Sequence, residues 1–377
     1  MKLFHISDLH LGKRVYEFSM LEEQRELLCT ILHKIDEEKP NLLLISGDIY
    51  DKPVPPTEAV KLLDTFLTEL SARKLHTYLI AGNHDSAQRL EFGKEIFGRE
   101  QIHISGSIEK GLAHFTETDE YGSVEIWLLP FFKPAHINGI LPTESVSSYA
   151  EAAKVLLERE NIDFSCRNII LVHQFVTWKG RAERSESETL SLGGVDEIDA
   201  GLLFDCDYAA LGHLHSPQQM GKRTVRYAGS PMPYSFSEIH RKKGITVVEL
   251  KEKGDISFDF IPLETKRNFR EIKGPLQKLI AAGKAEGGSM DYIRCILTDE
   301  EALLDPVGQI RSVYPNLMAL EFQPQETALP QETPIDAKDI RPEELFSLFF
   351  EKQNDREMNE TQKKLSQSIW KGVEENV

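Results

Sequence analysis

At 377 residues the chain exceeds what one hydrophobic core usually organises, so a large domain with smaller modules is expected. With 40% apolar and 28% charged residues it reads as an ordinary soluble chain, and no apolar run approaches the roughly 18 residues that span a bilayer. A net charge of −17 argues against a free-standing nucleic-acid binder, unless bound cations and a partner supply positive potential locally.

In chain order, Met1-Lys2 passes directly into Leu3-Phe4-His5-Ile6 with no apolar leader, which reads as a first strand of a protein that is not exported. Further short apolar runs ending in polar residues lie at 42–45, 77–80, 125–129, 168–172 and 208–211. These are buried strands that deliver loops to a site. Helical periodicity fills 19–37 and 57–72, so the first third reads as βαβαβ with right-handed crossovers. Closer runs at 225–228 and 245–250 suggest a second, more antiparallel sheet. The expected assembly for residues 1–265 is an α/β sandwich of two sheets flanked by helices.

Beyond it, residues 266–325 read as a small α+β cap, and the Pro-, Gln-, Glu- and Thr-rich stretch 326–341 as an extended linker. Helical character returns over 342–377, with Leu345, Phe346, Phe349 and Phe350 on one stripe and Met358, Leu365 and Ile369 further on. Two helices cannot bury those aromatics alone, which points to a docking segment for a partner. Four scattered cysteines, Cys29, Cys166, Cys206 and Cys295, form no C-x-x-C pair, so they fit a reducing cytoplasm better than a zinc ribbon or disulfide framework.

The chemistry sits at the strand ends. Asp8-Leu9-His10, Ser46-Gly47-Asp48, Gly82-Asn83-His84-Asp85, His173 and Gly212-His213-Leu214-His215 each follow an apolar run. Consecutive strand ends of an open α/β sheet face one crevice. Imidazole, carboxylate and amide donors without a thiolate suit Mn²⁺, Fe or Zn²⁺ better than Ca²⁺, and a set of this size suits two ions roughly 3.5–4 Å apart, with Mn²⁺ the first choice. His5, His33, His76, His103, His114, His136 and His240 lack such a setting and read as surface or satisfied core residues. The run from Lys179 to Glu186 reads either as a solvated loop or as a DNA contact beside the site.

That ordered donor set resembles the calcineurin-like metallophosphoesterase superfamily. Finer stretches resemble its SbcD nuclease family: Ser7-Asp8-Leu9-His10-Leu11-Gly12-Lys13, Ser185-Glu186-Ser187-Glu188 with Leu192-Gly193-Gly194, Leu211 through Gln218, and Tyr227-Ala228-Gly229-Ser230-Pro231 through Glu238. The likeness is close over about 1–260 and only positional beyond. It implies a metal-dependent nuclease acting on duplex and hairpin DNA, in place of a free-standing phosphatase or nucleotide phosphodiesterase of the same fold. One ion would be held by Asp8, His10, Asp48 and His215, the other by Asp48, Asn83, His173 and His213. His84 would act as the acid, with Asp85 orienting its ring or capping a helix. An SbcC-type ATPase would be the partner, gripped by Leu345 to Phe350, and the nuclease would be a homodimer within a heterotetramer.

Overall fold

The computed structural model describes residues 1–141, 145–188, 196–299, 301, 303–323, 342–354 and 356–374. The linker expected at 326–341 and the Leu192-Gly193-Gly194 stretch lie outside them. The chain divides into two units, Met1–Gln323 and Pro324–Val377.

The first unit is built on two six-stranded sheets. Strand sequences with few polar residues on either face bury both faces, and alternate side chains then serve different layers. Leu3, Leu42, Leu44, Tyr78 and Ile80 from the first sheet meet Ile126, Leu128, Ile169, Leu171 and Tyr208 from the second, between the sheets. Their neighbours Phe4, Leu43, Ile45 and Leu79 face the opposite way, against helices Leu21–Glu38 and Thr57–Ala72. Thr57–Ala72 lies where the periodicity places it, starting just after Pro55-Pro56 and burying Ala59, Leu62, Leu63, Phe66, Leu67 and Leu70 on one stripe. On the far side of the second sheet, Ile170, Val172, Ala209 and Leu211 pack with Ile137, Ala152, Ala153 and Leu156 from helices Pro134–Ile140 and Tyr149–Arg159. The result is helices, sheet, sheet, helices.

The second sheet differs from expectation. Gly122–Leu129, Arg167–His173, Tyr208–Gly212 and Lys222–Tyr227 pair in parallel, and only the edge strands Ala113–Asp119 and Gln218–Met220 run antiparallel. It is no more antiparallel than the first sheet, where Gly244–Leu250 and Ile256–Pro262 supply the antiparallel pairs beside Lys2–Ile6. The apolar run at 245–250 therefore belongs to the first sheet. Short spacing between runs did not mean hairpins, because pairing partners are chosen by long-range packing.

From Phe269 the chain forms β-α-β-α-β, with strands Phe269–Gly274, Tyr292–Leu297 and Leu317–Phe322 paired in parallel. Alternating helices and parallel strands make this an α/β module where α+β was expected. Ile293, Cys295, Leu297 and Leu317 bury against Leu276, Ile280 and Ile310 of its helices. Phe269 and Tyr292 face the other way, and join the main core with Phe236 and Phe18. Arg267 pairs with Glu23 at 2.7 Å, tying the module down.

In the second unit, helices Pro342–Asn354 and Glu360–Glu374 flank a buried Met358, which precedes the second helix and is not part of its stripe. Leu345, Phe346, Leu348 and Phe349 are exposed, Phe349 to 59%. Phe350 is half-buried, with the Arg356 guanidinium 5.5 Å from its ring centre. Among the described residues no helix is long and apolar enough to cross a membrane.

Candidate metal centre

Parallel strands end on one edge, and five of them bring their carboxyl-terminal residues to a single place. Asp8 and His10 follow Lys2–Ile6; Asp48 follows Leu42–Ser46; Asn83, His84 and Asp85 follow His76–Ile80. His173 ends Arg167–His173, and His213 and His215 follow Tyr208–Gly212. Close approach needs glycine twice: within the first sheet a Cβ on Gly82 would stand 2.1 Å from Asp48 Oδ1, and between the two sheets one on Gly212 would stand 1.8 Å from the Ser46 carbonyl oxygen.

Three sets of donors lie within 4.8 Å of one another: Asp8, His10 and His215; Asp8, Asp48 and His173; His10, Asp48 and His84. His10 Nε2 and His215 Nε2 are 3.1 Å apart, and both rings are buried. Asn83 Oδ1 lies 3.1 Å from His173 Nε2 and 3.0 Å from His213 Nδ1. The outward nitrogens are mostly engaged: His173 Nδ1 with the Ser46 carbonyl at 2.7 Å, His84 Nδ1 with the Asp51 carbonyl at 2.8 Å, and His215 Nδ1 with Ser187 Oγ at 2.8 Å. His10 Nδ1 has no hydrogen bond and lies 3.7 Å from Asp51 Oδ1. Such outer contacts fix ring orientation and leave the inner nitrogens facing the centre.

Backbone strain concentrates here. Asp8, His10, Asp48 and His213 have φ of 54°, 42°, 48° and 105°, a region that side chains with a Cβ disfavour. Hydrogen bonds hold these turns: His213 N–H donates to Asp8 Oδ1 at 3.0 Å, His84 N–H to Asp48 Oδ1 at 2.9 Å, and His10 N–H to the Asp48 carbonyl at 2.9 Å.

Burial sets the proton balance. It raises the Asp8 carboxyl to about 6 against the pull of His173 and His215, with the Asp48 charge adding to the rise. Burial also drives His213 down to about 3, assisted by His173, and holds His10 well below the ordinary imidazole value. His173 is raised to about 9, because burial there is outweighed by the Asp48 charge and hydrogen bonding. The His10 and His213 rings, lowered in pKa beside buried carboxylates, with the His10 and His215 nitrogens facing each other, fit divalent cations of the kind nitrogen and oxygen ligands bind. A cation taking Asp48 would displace the proton that Asp48 holds on His173.

Asp85 differs from expectation. Its carboxylate accepts from the backbone N–H groups of Gly82, Ile49 and Tyr50 at 2.8, 3.0 and 2.9 Å. The His84 ring is held by the Asp51 carbonyl instead, and the following short helix is preceded by Ser86. Asp85 therefore clamps two site loops together; it neither orients the imidazole nor caps the helix.

Sequence reasoning did not assign roles to Asp51, Ser187, Glu188, Glu238 and Lys243. Glu188 accepts from His215 N–H at 2.7 Å, and Glu238, fully buried, accepts from Ser187 and Lys243. The signal was present, since the stretches around 185–188 and 227–238 stood out separately; only the fold shows that they meet at His215. In the 179–186 run, Arg184 stacks on Phe175 at 4.3 Å and Lys179 lies over Trp178 at 5.4 Å, so both side chains are partly tethered.

Residues 1–217 match the family described as calcineurin-like phosphoesterase. The chain belongs to the calcineurin-like phosphoesterase family. This phosphoesterase also matches, over 265–354, a family described as type 5 capsule protein repressor C-terminal domain. It is 29% identical over 323 residues to the SbcD component of the nuclease SbcCD from Staphylococcus epidermidis, covering 85% of each chain. Within its family the phosphoesterase is of the SbcD type. Among solved structures, a dimetal phosphatase from Danio rerio is 14% identical with a TM-score of 0.43, over 70% of this chain and 97% of that one. A protein of Thermus thermophilus is 13% identical with a TM-score of 0.41, over 69% of this chain and 98% of that one.

Proposed function

We propose that this phosphoesterase is the nuclease subunit of an SbcCD-type complex, hydrolysing phosphodiester bonds of duplex and hairpin DNA in repair, recombination and replication. The observation that carries the reading is the convergence of two carboxylates, an amide and five imidazoles at one edge of both sheets, in a chain similar to an SbcCD component along most of its length.

Asp8, His10, Asp48 and His215 would hold one divalent cation, and Asp48, Asn83, His173 and His213 the other. Mn²⁺ suits several imidazoles better than Mg²⁺ does. The bound ions supply Lewis acidity toward the phosphate and a nucleophile at neutral pH. His84, with Nδ1 engaged by the Asp51 carbonyl, keeps Nε2 to carry a proton to the leaving 3′-oxygen. Asp85 keeps the His84 loop against the Asp48 loop.

The partner is an SbcC-type ATPase, docked on the stripe of Leu345, Phe346, Phe349 and Phe350. A second copy of the nuclease would pair within the complex, and Phe92 and Ile96, exposed to 84% and 69%, offer apolar contacts for it. The setting is the cytoplasm. The acidic charge favours a free-standing phosphatase or nucleotide phosphodiesterase as the second reading. Digestion of end-labelled linear and hairpin DNA, beside cyclic nucleotides and nucleotide sugars, in Mn²⁺, Mg²⁺ or chelator separates the two. Cleavage of DNA alone, stimulated by Mn²⁺, supports the nuclease; turnover of the small substrates alone overturns it.

A further inference from the structure

Lys243 and Glu238 form an ion pair at 2.5 Å in the interior, with side chains 5% and 0% exposed. Buried pairs seldom stabilise a fold more than apolar residues of the same volume, because desolvating two charges offsets their attraction. This pair touches one residue at two points. Lys243 Nζ donates to the His215 carbonyl at 2.8 Å, to Ser230 Oγ at 2.7 Å and to Glu238 Oε2, which uses all its protons. Glu238 Oε1 accepts from Ser187 Oγ and Ser235 Oγ, and lies 3.4 Å from His215 Nδ1. The Ser187 hydroxyl hydrogen is thus committed to the carboxylate, and its oxygen, 2.8 Å from His215 Nδ1, is left to accept. The ring must then carry its hydrogen on Nδ1 and present a lone pair at Nε2, the atom facing His10.

We infer that Glu238 and Lys243 are positioning residues that hold His215 in the Nδ1–H tautomer, with its backbone and ring fixed together and Nε2 directed to the metal centre. The inference rests on the proposed role of His215 as a metal ligand. A carboxylate behind a ligating imidazole sets its tautomer and basicity, and losing it lowers metal affinity by roughly 10–100-fold.

The test uses the full chain stripped with chelator: wild type, Glu238→Gln, Lys243→Met and the neutral double variant Glu238→Gln/Lys243→Met. Imidazole ¹⁵N resonances report the His215 tautomer without metal, calorimetric titration reports Mn²⁺ affinity, and thermal melting reports stability. Wild type is expected in the Nδ1–H form. Glu238→Gln should mix the tautomers and weaken one Mn²⁺ site by roughly 10–100-fold. The double variant, with no lone buried charge, should melt close to wild type yet keep the mixed tautomer and the weak site. It also carries the test if either single variant does not fold. An unchanged tautomer and affinity in the double variant would overturn the inference and leave the pair a structural plug. Absence of Mn²⁺ binding by wild type would instead remove His215 as a ligand, while the tautomer still decides whether the pair positions it.

Discussion

His10 Nε2 and His215 Nε2 stand 3.1 Å apart inside the protein, on loops 205 residues apart in sequence. Two imidazole nitrogens at that distance repel unless a hydrogen or a cation lies between their lone pairs, and burial holds His10 far below its usual protonation. A cation binding only the folded state adds stability by mass action, about 2.7 kcal/mol at a hundredfold excess over Kd. Chelator should therefore lower the melting temperature by about 3–4 °C for each ion so bound, and Mn²⁺ should restore it. An unchanged melting curve with and without chelator would count against a resident metal.

His84→Ala should leave metal content nearly intact and lower DNA turnover by roughly 10²-fold or more, the scale for losing a general acid. His213→Ala should lose metal instead, because His213 shares Asn83 Oδ1 with His173. Elemental analysis beside the nuclease assay distinguishes them. Loss of both ions from His84→Ala would make His84 a ligand, as its place beside His10 and Asp48 also permits.

His5 gives a pH dependence of stability from just behind the metal centre, since its partner Ser46 also holds His173. Ser46 Oγ donates to the Ala210 carbonyl at 2.9 Å, so it accepts from His5 Nε2–H at 3.0 Å, and His5 Nδ1 accepts from the Tyr208 hydroxyl at 2.7 Å. This chain of hydrogen bonds joins the two sheets and requires a neutral ring. Burial, with the Arg226 charge, lowers the His5 pKa to about 3 from 6.5. The unfolded chain thus binds more protons between those values. The contribution is fully present above pH 6.5 and lost as pH falls toward 3, by up to about 1.36 kcal/mol per pH unit. Denaturant titrations from pH 7 to pH 4.5 should show His5→Gln with a shallower acid-side slope than wild type, by about one proton. Equal slopes would mean the ring is not held neutral.

Asp85→Ala should act chiefly on stability. It leaves the N–H groups of Gly82, Ile49 and Tyr50 without their acceptor, at about 1–3 kcal/mol for each buried donor left unpaired. A melting temperature well below wild type is expected, with turnover falling because the Asp51 carbonyl that holds His84 belongs to the loosened loop. Lost turnover at an unchanged melting temperature would return Asp85 to a catalytic role.

The donor residues were legible because each one directly follows an apolar strand, and parallel strands must end together. What escaped was everything decided by distant pairing. Asp51 and Lys243 lie in loops and Glu238 in a single 3-10 turn, and their nearness to an imidazole depends on which strands neighbour each other. The run at 245–250 looked like second-sheet material, yet it pairs with Lys2–Ile6 in the first. Asp85 was read as orienting its sequence neighbour or capping a helix, whereas its carboxylate accepts from the backbone at residues 82, 49 and 50, the last two on another strand's loop. His5 was set aside as a surface or satisfied core residue, which hid its place in the contact between the sheets.

The second unit gives a prediction independent of the metal centre. Phe346→Asp with Phe349→Asp, at two exposed positions of Pro342–Asn354, should abolish co-purification with the ATPase. Each aromatic is worth roughly 1.5–3 kcal/mol when fully buried. Mn²⁺-dependent cleavage by the unpartnered chain should be unaffected. Wild-type binding by this double variant would remove the stripe as the docking surface.

The left-handed backbone at Asp8, His10, Asp48 and His213 sets two selections against each other. Each position is strained by roughly 1–3 kcal/mol for a residue with a Cβ, and glycine there relieves the strain while deleting a donor. A variant library sorted on heat resistance without metal should drift to glycine at these positions and converge on an inert scaffold. The same library sorted on DNA cleavage should keep all four, so the enzyme can evolve greater robustness only at sites away from the centre that makes it a phosphoesterase.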